Sequence, residues 1–596
     1  MNQPRTQPGF DPNDTLFKAV IIGAFALAGT VWGGAQLGAL ADHGHVAPIK
    51  LWDGLAFLVH IKAHSTDPRL AWPSPANASL PGPVLYWTAT AVTVAGIIGL
   101  GLLLHRIFAS PDERLDRRRR LGVPTQGRLA TAKDLRALLI RRPEADRLVL
   151  GRFGRWLVAT EASPSARVSA RGAVALVGPT RSGKTTTLTG AILDWEGPAV
   201  LVSVKTDLLV DTHSARVRQG PTHVFDPAGV TGRASASWSP LAEATTTSGA
   251  IKAAAGLVEA APRTGRVEGS EFWMQMAESL MAALLAVAAN AGAAFSEVVG
   301  WVVSLDMPSE ASPGKVAPLY RALREDADPL RRAAGVFAAD VLEGLWRNDH
   351  RTISSVYATA RTLVWPWADP IVAASAKDKP IDPDGLLDES ATLYVCVPQS
   401  DQARLRPVLG GILNYVVAGA YARYLRTGRP LDPPLLLVID EAATLRPDQL
   451  PSWASTLAGI GVQLVTAWQS VSQIDAAYGR DAQAILTNHL TKLFFPGMSD
   501  GTGLDYVSRL VGEEHVPARL SRDERPAEGR GESPVTTLAL VPPAVLRQMR
   551  RGDAVMIHGS LPPAHVHPRP WYADRRLSAL AGVETQRRWP VLRRSS

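Results

Sequence analysis

The residues Gly178-Pro179-Thr180-Arg181-Ser182-Gly183-Lys184-Thr185 fill the pattern G-x-x-x-x-G-K-[ST] directly after the apolar run Ala173 to Val177. A strand that ends in such a loop and opens a helix turns backbone N–H groups and the positive helix end toward an anion, which makes a phosphate cradle. Its expected members are Gly178 to Thr185 with Thr186 at the head of the helix; Lys184 would meet the β- and γ-phosphates and Thr185 a magnesium ion. A second apolar run, Leu435 to Ile439, ends in Asp440 and Glu441, as a buried parallel strand delivers side chains to the carboxyl edge of a sheet. Asp440 is expected in the magnesium shell, and Glu441 as the group that polarises the attacking water. Phosphoryl transfer needs chiefly positioning and charge neutralisation, and these two acids with Lys184 and Thr185 make up that set.

A third run, Gly461 to Trp468, leads into Gln469, which is either a sensor of the γ-phosphate or a structural amide. The chain has no downstream N-K-x-D run for guanine selection, and its lookalike Val204-Lys205-Thr206-Asp207 comes too soon after the cradle, so ATP with Mg2+ is the expected ligand pair. The absence of an L-S-G-G-Q signature excludes an ABC transporter.

These three strands need a sheet to hold them side by side, and the chain supplies more than one core. It has 596 residues, 46% of them apolar, and a net charge of +8 that suits nucleic acid or lipid headgroups alike. A lone cysteine, Cys396 in the strand-like Thr392 to Val397, excludes a disulfide framework or a cysteine metal site.

Two segments, Leu16 to Leu40 and Val84 to Phe108, are long and apolar enough to cross a bilayer, which takes about 20 residues. For the first, a cleaved signal peptide ending near Ala39-Leu40-Ala41 is the alternative. Arg106, Arg114 and Arg117 to Arg120, at and beyond the end of the second span, place the nucleotide site in the cytoplasm. Gly29, Gly33, Gly34 and Gly38 either mark a close helix contact, and so self-association, or reflect the abundance of glycine in membrane helices. The segment between the spans, with His43, His45, His60 and His64, reads as a solvated loop with an amphipathic stretch over Leu51 to Ile61.

The long separation of Lys184 from Asp440 requires an insert. Apolar residues at three- and four-residue spacings through Ile251 to Ala260, Glu271 to Ala289, Leu319 to Leu323 and Leu330 to Trp346 make it helical, with breakers at 262–269 and 307–314. Phe272, Trp273, Met274, Met276 and Leu280 read as bundle core. The expected layout is a membrane anchor over 1–110, with spans about 16–40 and 84–108 and an external loop 41–83, and a juxtamembrane basic segment 111–170. A nucleotide-binding domain then occupies 171–245 and 350–560, with an all-α insert over 246–349 and an arginine-rich tail over 561–596. The stretch from His515 to Pro534 reads as a surface loop, and Val555 to His558 as a last strand.

Taken together, the spans, the cradle, the insert and the block after the second acidic motif resemble the coupling proteins of type IV secretion and conjugation systems, the TraG/TraD group. The residues that carry the resemblance are Gly178 to Thr185, Ser203 to Leu208, Trp238 to Leu241, Phe272-Trp273, Asp440 to Ala443 and Trp468 to Gln473, continued by Tyr478, Gly479 and Asn488. The resemblance implies an α/β fold: a RecA-like P-loop NTPase domain with a parallel-sheet core, an inserted all-α domain and two N-terminal transmembrane helices. It further implies a homo-hexamer in the bacterial inner membrane, with its ATPase in the cytoplasm. ATP hydrolysis would drive DNA, bound without sequence preference, toward the secretion channel, and a relaxase or effector protein and the channel components would be its partners. Ser203 and Thr206 depart from the group's usual residues, so no chemistry is assigned to Ser203 to Leu208. The arginine common near Leu457 to Gly461 is missing, leaving Arg351 and Arg361 as substitutes for a trans-acting finger. A double-stranded DNA translocase of the FtsK type and a receptor that binds nucleotide without hydrolysing it are the alternatives.

Overall fold

Leucine- and valine-rich runs bounded by turns become the central strands of one nine-stranded sheet, and these parallel strands are buried on both faces and carry no polar alternation. The strands are β1 (Val174–Val177), β2 (Ala199–Ser203), β3 (Thr222–Phe225), β4 (Thr392–Cys396), β5 (Leu435–Ile439), β6 (Val462–Trp468), β7 (Thr491–Phe494), β8 (Ala554–His558) and β9 (Ala564–Val566). Their order is β3-β4-β2-β5-β6-β1-β7-β8-β9, parallel throughout except for β8 and β9, which pair antiparallel at one edge. The computed structural model describes residues 12–64, 66–108, 119–163, 165, 171–261, 270–377, 379–517 and 535–582. Arg114, Arg117, Arg118, the breaker 262–269, most of the expected surface loop (518–534) and the last residues of the tail (583–596) lie outside them.

The chain divides into two compact units, residues 1–125 with 517–534, and residues 126–516 with 535–596. In the first, the helices Pro12–His43 and Pro83–Phe108 pack against each other. The glycine spacing serves this contact within the chain: a Cβ on Gly34 would stand 2.6 Å from the Thr90 Cα, and one on Gly38 2.7 Å from the Pro81 ring. Residues 41–83 are not a solvated loop. They fold over a miniature core in which Phe57 packs on Trp72 at 4.9 Å and Trp72 Nε1 donates to the Tyr86 hydroxyl at 3.1 Å, because three aromatic side chains outweigh the polar histidines around them.

In the second unit, one face of the sheet is covered by helices Lys184–Asp194 and Asp207–Arg216, and the other by the all-α bundle and the helix Gln402–Thr427. The bundle helices are Thr247–Ala260, Ser270–Ala291, Phe295–Val303, Val316–Arg324, Pro329–Trp346 and His350–Val364. The last of these packs on Ser270–Ala291 and Phe295–Val303, so the bundle runs past 349; Asp349, which accepts from the Arg351 and Thr352 N–H groups, is a helix cap inside it. Glu271–Ala291 is long and apolar enough to cross a membrane, yet it is the bundle's central helix, with Leu280 to Ala288 buried among its neighbours. Leu280 is core as expected and Trp273, Met274 and Met276 pack beside it, whereas Phe272 is 54% exposed.

Two segments expected to lie outside the nucleotide domain are built into it. Residues 139–140, 149–153 and 156–159 form a three-stranded antiparallel sheet, and Arg152 exchanges backbone hydrogen bonds with His567. The arginine-rich tail is folded over 561–582: β9 extends the main sheet, and the helix Arg575–Leu580 lies on the back of Lys184–Asp194. Two of the tail's arginines are paired with buried or half-buried acids. Arg569 reaches the buried Asp194 at 2.6 Å and Asp574 at 2.9 Å, Arg576 also meets Asp194, and Arg152 meets Asp574 at 3.0 Å. Cys396 is buried in β4, its thiol pushed up to about 12 by desolvation.

Candidate functional site

The register of the sheet brings four strand ends together. Val177 lies opposite Trp468, Thr466 opposite Ile439, and Ile439 opposite Val202. The residues just beyond, Gly178, Gln469, Asp440 and Ser203, therefore emerge side by side at one carboxyl edge, where α/β sheets bind ligands.

The cradle has the shape its glycines require. Gly183 has φ +111°, closed to residues with a Cβ, and a Cβ on Gly178 would come 2.7 Å from the Phe495 Cβ. Arg181 also adopts a left-handed φ of 62°. The helix beginning at Lys184 leaves its first N–H groups without intrahelical carbonyls, at the end where the helix dipole favours an anion. Lys184 is folded inward, its Nζ donating to the Gly178 and Pro179 carbonyls at 2.6 and 2.9 Å. Burial depresses its pKa against the pull of Glu441 and Asp440. Ser182 Oγ is buried in the loop without a hydrogen-bond partner. A buried hydroxyl and a buried ammonium that has only carbonyls to bind are the donors a phosphate group satisfies, so these residues fit a nucleotide's phosphates. Pro179, Thr185 and Thr186 are half-buried and Thr180 is exposed along the same loop and helix start.

Asp440 is buried, and desolvation together with the neighbouring Glu441 raises its carboxyl to about 6, with Lys184 and Lys205 opposing. A buried carboxylate facing cations and lacking a full counter-charge suits a divalent metal shared with the Thr185 hydroxyl. Glu441 is held in the left-handed region at φ 61°, an uncommon conformation for this residue type, and its Oε2 accepts from Gln469 Nε2 at 2.9 Å. The Gln469 backbone N–H is in turn bonded to Gln473 Oε1 at 2.9 Å. Gln469 thus joins the end of β6 to the acid after β5.

Two residues near the site were missed in the sequence. Lys205, in a stretch assigned no chemistry, acts electrostatically on both Lys184 and Asp440, because β2 lies next to β5; its place directly after an apolar run was the available signal. His489 is fully buried beneath β6. Its Nδ1 faces the Ile485 carbonyl at 2.7 Å and its Nε2 the Thr466 hydroxyl at 2.9 Å, while Trp468 Nε1 donates to that same hydroxyl at 2.8 Å. Burial lowers the imidazole to about 4 and keeps it neutral, so it donates to the carbonyl and accepts from Thr466, fixing the strand that ends in Gln469. Arg351 and Arg361 are exposed on the bundle helix His350–Val364, the latter stacked over Trp365 at 4.3 Å.

A family model described as type IV secretory system conjugative DNA transfer matches residues 153–588. Conjugal transfer protein TraG of Escherichia coli is 25% identical over 361 residues, 56% of this chain and 54% of that protein. A second TraG of Escherichia coli is 24% identical over 194 residues, 31% of this chain and 30% of its own. The chain thus spans about half the length, or less, of the curated relatives it matches. Among solved structures, the bacterial conjugative coupling protein TrwBΔN70 in its unbound form superposes with a TM-score of 0.54 at 18% identity, over 76% of this chain and 96% of that one. The plasmid coupling protein TrwB in complex with ADP and Mg2+ gives the same score and identity over 76% and 97%. These likenesses establish a shared RecA-like P-loop fold.

Proposed function

Because the chain belongs to the type IV secretory system conjugative DNA transfer family, we propose that it is a coupling protein: a membrane-anchored ATPase that recruits a DNA–protein substrate and drives it toward a secretion channel. The observation that carries this reading is the single carboxyl edge that joins the cradle, Asp440, Glu441 and Gln469. TrwB has been captured with ADP and Mg2+ and with an ATP analogue, which supports the same ligands for this site.

In the proposed mechanism the cradle N–H groups and Lys184 hold the β- and γ-phosphates, Lys184 exchanging the Gly178 and Pro179 carbonyls for phosphate oxygens. Thr185 and Asp440 would hold a magnesium ion, which would supply charge neutralisation at the phosphates. Glu441 orients the attacking water and takes up its proton, and Gln469, bonded to Glu441 Oε2, senses when phosphate has left. The apolar helices Gly23–His43 and Pro83–Leu104, whose Phe25, Leu27, Ile97, Ile98, Leu102 and Leu103 are exposed, anchor the chain as two spans of the inner membrane with the ATPase in the cytoplasm. A homo-hexamer, a relaxase or effector and the channel components complete the proposed assembly.

DNA should stimulate ATP hydrolysis by the detergent-purified full-length protein, with little sequence preference and a steep loss on adding salt, because phosphate contacts dominate such binding. DNA-independent hydrolysis, or strong sequence selectivity, overturns the reading.

The Asp440 carboxyl makes magnesium binding pH-dependent. Raised from its ordinary value of 3.8 to about 6, it favours the folded state below about pH 4 and withdraws that support as pH rises through 6. Magnesium needs the ionised form, so Mg2+–nucleotide affinity should rise up to about tenfold per pH unit from pH 5 to 6, then level off. Calorimetric titration across that window checks it; the same slope in Asp440→Asn would assign the dependence to another group.

A further inference from the structure

Asp553, His565 and His567 stand apart from the cradle, and one donor atom from each lies within 4.8 Å of the other two. We propose that these side chains form a second metal site, for a late first-row divalent ion, Zn2+ foremost. His565 on β9 and His567, one residue beyond its end, lie on the same exposed face, with the buried Val566 between them turned the other way. Val555 pairs with His565 and Ala554 with Val566, which brings Asp553 beside His567. One carboxylate oxygen, Asp553 Oδ1, lies 2.9 Å from His567 Nδ1 and 3.3 Å from His565 Nε2.

Zinc bonds of about 2.0–2.2 Å at tetrahedral angles set neighbouring donors roughly 3.3–3.6 Å apart, so modest side-chain rotation suffices to coordinate. Two imidazoles with one carboxylate select zinc, cobalt, nickel or copper over magnesium and calcium, which distinguishes this site from the Thr185 and Asp440 pair. Its scaffold is stiff: His567 exchanges backbone hydrogen bonds of 2.8 Å with Arg152, and a Cβ on Gly151 would stand 2.9 Å from the His567 carbonyl oxygen. The side chains of His565, His567 and Asp553 are 48%, 51% and 19% exposed, which leaves a fourth position open to water or another ligand. A bound ion would clip the edge strand β9 to β8, at the point where the Val149–Phe153 strand also joins.

The test is titration of the chelator-treated, full-length protein, free of any histidine tag, with Zn2+ alone against a chromogenic chelator, and with Co2+ by visible absorption. One Zn2+ per chain at micromolar affinity or tighter is expected, with the intense Co2+ bands of low coordination number. The H565Q/H567Q double variant should weaken Zn2+ by more than about tenfold and abolish those bands. D553N, which keeps the shape of the side chain, guards against a folding defect and should weaken binding with an unchanged metal-free melting temperature. Zn2+ affinity that is the same in the wild type and all variants, or Co2+ bound only as the hexaaqua-like species, overturns the site.

Discussion

Lys184→Ala is expected to lower nucleotide affinity and hydrolysis together, whereas Glu441→Gln should keep affinity and lose turnover. The lysine is buried with only the Gly178 and Pro179 carbonyls for partners, so in the proposed mechanism its ammonium would exchange them for phosphate at little structural cost. Losing a charge-assisted hydrogen bond worth about 1.5–3 kcal/mol corresponds to roughly 10- to 100-fold in affinity. In the proposed mechanism Glu441 acts on the water instead. Its amide replacement preserves shape and a hydrogen-bonding partner for Gln469 but cannot accept the proton, so turnover should fall by about 10²-fold or more. Nucleotide-binding titration beside steady-state phosphate release separates the two. Equal hydrolysis in wild type and Glu441→Gln would remove Glu441 from the reaction, and unchanged affinity in Lys184→Ala would remove the cradle.

Arg569→Ala should destabilise the nucleotide domain by about 3 kcal/mol, the lower part of the range for breaking a buried pair. Asp194, at the end of the cradle helix, is 1% exposed and holds Arg569, itself 8% exposed, at 2.6 Å. Deleting the arginine strands that carboxylate, but the half-exposed Arg576 still reaches it and limits the loss. The double variant Asp194→Leu/Arg569→Met, which removes both charges, should recover most of the stability. Urea unfolding of the full-length protein, compared by midpoint because a chain of several units need not unfold in two states, reads the difference. A single variant with the wild-type midpoint would show that the network contributes nothing measurable, and a double variant as weak as the single would refute the unpaired-charge explanation.

The sequence by itself determined the α/β class and the loop geometry of Gly178 to Thr185, because both rest on local chemistry. Glycine at 178 and 183 is demanded by the loop's own geometry, and the apolar runs 174–177, 435–439 and 462–468 are buried on both faces, so no other element disguises their pattern. The helical insert was legible for the same reason, its three- and four-residue spacings being a property of each helix alone. Only the tertiary structure decided what depends on partners distant in the chain. Gln469 bonds to Glu441 because β6 lies beside β5, and Lys205 faces Asp440 because β2 lies on the other side of β5. The C-terminal arginines read only as a basic tail with no named partner, and Asp194, far upstream, supplies the buried carboxylate that binds Arg569. The loop between the apolar helices likewise looked polar because its few aromatic residues are scattered through it, and only folding gathers Phe57 and Trp72 with Tyr86 of the second helix into one core. Composition and periodicity report a residue's preference for water or for its own helix or strand; they carry no record of which other segment will meet it, and charge pairing and sheet order are set by that meeting.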